Sequence, residues 1–142
     1  MNAATAAVGR IETVELRIPR KAEWVAVARL AVAAVANRLA FSVEDIEDLK
    51  LAIAEACTNC IRHTNGNASI DIVCEAEPDL LRLIVRDHCF DLPPQRPRAV
   101  GEPAGDAGGL GIFIIESLMD HVAFEPTANG PTELVMTKRV GA

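Results

Sequence analysis

Glu55 and Asn59 stand four residues apart in a stretch, Ser42 to His63, whose apolar residues recur at three- and four-residue steps. That spacing puts a carboxylate and a carboxamide on one helix face, one turn apart. An amide oxygen is a hard ligand suited to magnesium, and a neighbouring carboxylate can take the proton of an attacking hydroxyl, so the pair suits a magnesium nucleotide site. The wider stripe Asp48, Ala52, Glu55, Asn59 and His63 also reads as the solvated outer face of a helix. Asp87 ends an apolar run and opens Asp87-His88-Cys89-Phe90-Asp91. An acid at a strand end can accept a hydrogen bond from a ligand's amino group, or simply close the strand. Gly108-Gly109-Leu110-Gly111 leads straight into a helical pattern, where unobstructed N–H groups and the helix amino end favour an anion. Glycine-rich helix starts also occur for geometry alone.

Regular elements must position these groups. Ile11 to Ile18 alternates apolar and polar residues and ends at Pro19, which predicts a half-buried strand. Trp24, Val27, Ala28, Ala31, Val35 and Leu39 then predict a helix over 22–40 with one broad apolar face, Trp24 and its alanine-valine face belonging to the core. Ser42, with Asp45 three residues on, is a capping signature for the helix that carries Glu55, and Ile46, Leu49, Ile53, Cys57, Cys60 and Ile61 form its core stripe. The acids Glu44, Asp45, Glu47 and Asp48 near its start suit the positive end of the helix dipole. Two alternating segments, 68–75 and 80–86, flank Glu77-Pro78-Asp79 as a hairpin. Prolines and glycines crowd 91–108, which excludes a regular element there. A helix over 109–120 and strands near 122–125 and 132–140 complete the order β-α-α-β-β-loop-α-β-β. That order predicts an α+β two-layer sandwich, with helices on one face of a mostly antiparallel sheet.

Composition narrows the function. The chain has 142 residues, and 14 Lys+Arg against 20 Asp+Glu give a net charge of −6. One domain is expected over 11–142, after a flexible amino terminus over 1–10, and at this size roughly 70% of the unfolded surface is buried without disulfides or structural metal. An acidic balance leaves no basic stripe for phosphate backbones, so DNA or RNA is not expected as a direct ligand. No run free of charged or strongly polar residues, Leu30 to Ala36 among them, approaches the ~20 needed to span a bilayer. With no secretion signal in the first residues, a cytoplasmic protein is expected. Cys57, Cys60, Cys74 and Cys89 then read as reduced, buried small hydrophobes; the Cys57/Cys60 spacing falls inside a helix, with no second pair at zinc spacing.

Taken in order, Glu55-Ala56-x-x-Asn59-x-x-x-His63, Asp87 after a strand, a Pro/Gly-rich loop, Gly109-x-Gly111 and Thr137 in a last strand resemble the nucleotide-binding fold of the GHKL ATPase superfamily. The nearest likeness is to the small anti-sigma factor serine kinases, carried by Leu51-Ala52-Ile53-Ala54-Glu55-Ala56-Cys57-Thr58-Asn59, by the stretch from Gly108 to Asp120 and by Met136-Thr137-Lys138. The resemblance runs from Ile11 to Val140. It implies a Bergerat-type fold in which Glu55 is the general base and Asn59 coordinates Mg2+ bridging the phosphates of ATP. Asp87 would hold the adenine amino group, Gly109, Leu110 and Gly111 would cradle the phosphates, and Thr137 would support the adenine site through a water and Asp87. Residues 92–108 would form the ATP lid. Arg62 and His63 lie one turn past Asn59, placed either for phosphate or for the carbonyls of the helix end. Where the family usually has Asp-x-Gly, this chain has Asp87-His88-Cys89. If φ is positive there, Cys89 costs about 1 kcal/mol or more, which predicts weaker ATP binding than in a glycine-bearing relative.

The implied activity is a Mg-ATP-dependent protein serine/threonine kinase that sequesters a sigma factor and phosphorylates an anti-anti-sigma protein of the STAS type. The resemblance also implies a homodimer formed through the amino-terminal region. A binding module of the same fold with weak or absent nucleotide turnover is the alternative: the Cys89 departure favours it, and the intact Glu55, Asn59 and glycine set disfavours it. A free-standing ATPase fits less well, because such enzymes usually complete the phosphate site with a second domain.

Overall fold

The computed structural model describes residues 10–63, 69–87, 107–127 and 130–141. Expectations that fall on 1–9, Cys89 and 92–106 lie outside them. Strand β1 (Glu12–Ile18) is followed by a 3-10 turn (Ala22–Trp24), α1 (Val25–Ala36), α2 (Val43–His63), β2 (Ile70–Glu77), β3 (Leu80–Asp87), α3 (Ala107–Leu118), β4 (His121–Thr127) and β5 (Gly130–Arg139). The five strands form one sheet in the order β1-β2-β3-β5-β4, with every neighbouring pair antiparallel. This is the expected α+β sandwich.

Alternation along the strands separates two faces. Ile18, Ile70, Ile72, Cys74, Leu81, Leu83, Val85, Leu134 and Met136 join the buried residues of the three helices in the main core. Each fully buried Leu or Ile contributes about 1.5–3 kcal/mol. On the opposite face Val73, Ile84 and Val135 form a small cluster of their own. Charged pairs flank it: Arg17 with Asp71 at 2.6 Å, Arg82 with Glu75 at 3.1 Å, and Arg86 with Glu133. One face of the sheet therefore carries the helix layer and the other a polar surface.

All three helices form, but α1 covers only Val25–Ala36 of the expected 22–40, and α3 spans Ala107–Leu118 in place of 109–120, so its first turn starts inside the stretch expected to hold no regular element. Asp45 N–H donates to Ser42 Oγ at 3.1 Å, so Ser42 caps α2. In α1 the buried stripe is Val25, Ala28, Val32, Val35 and Ala36: Ala28 and Val35 of the expected face are buried, whereas Trp24 and Val27 are exposed. Trp24 is 42% exposed and Leu30 69% exposed, which corrects the assignment of Trp24 to the core. Alanines on every side of this helix make its stripe nearly symmetric, and packing chooses the phase.

Candidate functional site

Helix α2 lies between α1 and α3, so its stripe Asp48-Ala52-Glu55-Asn59 meets a second helix. Ala52 is fully buried, and Glu55 and Asn59 are half-buried. The two helices come close at Gly111: a Cβ built there would sit 3.3 Å from Glu55 Oε1, tighter than ordinary contact. Glycine thus lets the backbone of α3 close on the carboxylate. One turn along α2, Asn59 Oδ1 is buried and has no hydrogen-bond partner among the described residues. A buried acceptor left this way costs about 1–3 kcal/mol. An amide oxygen held unsatisfied beside a carboxylate fits a hard divalent cation.

The sheet register shows which other residues share this end of the molecule. Ile18 pairs with Ile70, and Ile70 with Asp87. Arg20, just beyond Ile18, donates from Nη1 to the Cys60 carbonyl at 2.9 Å, tying the later turns of α2 to the same end. Asp87 therefore terminates β3 at the Asn59 end of α2. Gly109 lies in the first turn of α3, where N–H groups have no partner within the helix, while Leu110 is exposed. Arg62 is exposed in the last turn of α2, and His63 is its final residue.

Thr137 does not belong to this group. It pairs with Arg82 in β3, five positions from Asp87, or about 17 Å along the strand. Its neighbours Met136 and Lys138 are buried on the helix side, so Thr137 faces the opposite surface with Val135. The water-mediated link from Thr137 to Asp87 is thereby corrected. Continuing the register one step beyond Arg86↔Glu133 brings Thr132 opposite Asp87.

The thiols behind the site are inert by burial. Loss of water pushes Cys57 and Cys60 up to about 12 and Cys74 up to about 11, so all three stay protonated at neutral pH.

Comparison with known proteins agrees with this geometry. Residues 18–138 match the histidine kinase-like ATPase domain family, and the chain belongs to it. A serine-protein kinase RsbW from Halalkalibacterium halodurans is 39% identical over 136 residues, covering 89% of this chain and 83% of the relative. The RsbW proteins of Bacillus cereus strains Q1 and ATCC 10987 are 41% and 40% identical over 123 residues, 80% of this chain and 77% of each relative. Within the family the chain thus groups with the RsbW serine-protein kinases: it is an ATP-dependent protein serine/threonine kinase of the anti-sigma factor kind.

Proposed function

We propose that Glu55 is the general base of this kinase and that Asn59, through its buried Oδ1, holds Mg2+ against the phosphates of ATP. The observation that carries the reading is the partnerless Asn59 oxygen one turn from a carboxylate that abuts Gly111. Bound Mg-ATP supplies the transferable phosphoryl group and the cation that offsets its charge. The protein's own part is positioning. Glu55 would orient the incoming serine hydroxyl and take its proton as the new O–P bond forms and the bond from the γ-phosphorus to the β–γ bridging oxygen breaks, with ADP as the leaving group. N–H groups at the start of α3, from Gly109 to Gly111, would hold the phosphates. Arg62, exposed in the last turn of α2, adds positive charge beside them. Asp87, with Thr132 next to it in the register, receives the adenine amino group.

The protein substrate is an anti-anti-sigma protein of the STAS type, and the competing partner is a sigma factor held by the same protein in the cytoplasm. Phosphorylation places about −1.5 to −2 charge in the antagonist interface and weakens it, which frees the kinase to rebind the sigma factor. A homodimer is supported by exposed apolar residues on the edge strand and outer helix face: Ile11, Val14, Trp24, Val27 and Leu30. The central test is Glu55→Gln assayed with radiolabelled ATP and the cognate antagonist. Transfer should be lost while Mg-ATP binding is retained; transfer at the wild-type rate removes Glu55 from its role.

A further inference from the structure

Lys138 is the one charged residue among the described residues that is buried, at 8% exposure. Its ammonium donates to the Leu118 carbonyl at the carboxyl end of α3 at 2.6 Å, and lies 3.8 Å from Asp48 and 4.0 Å from Asp45 at the start of α2. Leu118 is seven residues after Gly111, and Asp48 is seven residues before Glu55. The two helices run antiparallel, so both intervals span about 10 Å. Lys138 closes one end of this frame, and the Gly111–Glu55 approach closes the other. A cation bridging two carboxylates and a helix-terminal carbonyl fixes how far α3 can slide along α2.

We propose that Lys138 is a positioning residue for phosphoryl transfer: by locking α3 in register on α2 it holds the Gly111 backbone against Glu55. The proposal rests on the assignment of Glu55 and the α3 start to the phosphate site. Lys138 touches neither group, and acts only through the helix.

The test is a double-mutant cycle on the full chain, with Lys138→Met, Gly111→Ala and the double variant, read as the dissociation constant for Mg-ATP and as kcat for transfer to the antagonist. Thermal unfolding confirms that each variant is folded at the assay temperature. Lys138→Met should lower kcat about tenfold at saturating Mg-ATP, with KM for the antagonist unchanged and Lys138→Arg recovering most of the loss. Combined with Gly111→Ala the losses should be less than additive, because both variants disturb one contact. If Lys138→Met does not fold, Asp48→Asn loosens the same clasp and should lower kcat in the same manner. Strict additivity, or an unchanged kcat in folded Lys138 and Asp48 variants, overturns the proposal. Glu55→Gln run alongside separates the two readings: if it transfers phosphate normally, the site assignment fails, whatever the Lys138 variants do.

Discussion

Asn59→Ala should make the nucleotide-free protein more stable while abolishing its response to Mg-ATP. In the folded chain Asn59 Oδ1 is buried without a partner. Removing such an acceptor relieves about 1–3 kcal/mol. Alanine adds a helix-propensity gain of up to about 0.7 kcal/mol inside α2. Lost packing of a small, half-buried side chain offsets part of this, leaving a net gain of about 1–2 kcal/mol. For a domain of this size that corresponds to a rise in melting temperature of about 3–8 °C. Saturation with Mg-ATP at about 100 times its dissociation constant should add about 2.7 kcal/mol to the wild type and nothing comparable to the variant. Differential scanning calorimetry with and without Mg-ATP measures both effects. A variant that melts below the wild type without nucleotide, or that keeps the full Mg-ATP shift, refutes the view that Asn59 trades stability for a metal ligand.

Thr132→Val should weaken ATP binding several-fold, whereas Thr137→Val, on the opposite face and about 17 Å along the strand from Asp87, should leave it unchanged; calorimetric titration of both variants decides. Leu30→Glu places a charge in the exposed apolar face of α1 and should shift the protein to monomer in analytical ultracentrifugation; an unchanged dimer would move the interface elsewhere. Burial raises Cys57 and Cys60 from 9.0 to about 12, so the folded state retains thiol protons that the unfolded chain releases. That stability is fully present below pH 9 and is lost as pH rises toward 12, by about 2–3 kcal/mol for the pair between pH 8 and 10. Urea unfolding at those two pH values should show the drop, and Cys57→Ala/Cys60→Ala should lack most of it.

Much of the fold is legible in local pattern. Period-two alternation marked β1, β2 and β3, and the Ser42 cap marked the start of α2, because those signals depend on neighbours within a few residues. The same holds for Glu55 and Asn59, whose common face follows from helix geometry alone. Alanine-rich α1 was less legible: it spans Val25–Ala36 and not 22–40, and with small apolar residues all round, only contact with α2 and the sheet decided that Val25 and Val32 go in and Trp24 and Leu30 stay out. The stripe from Asp48 to Asn59 looked like an outer face until α3 covered it, since a helix cannot encode how many neighbours it will have.

The sequence by itself determined where along their elements the candidate residues sit: Glu55 one turn before Asn59, Asp87 at a strand end, glycines at the start of α3. Only the tertiary structure decided what meets what. Gly111 closes on Glu55, Lys138 clasps the far ends of two helices, and Thr137 lies opposite Arg82, about 17 Å along the strand from Asp87. Helical and strand periodicity are set by backbone geometry over a few residues, whereas register between strands and between helices is set by pairing and packing of residues far apart in the chain.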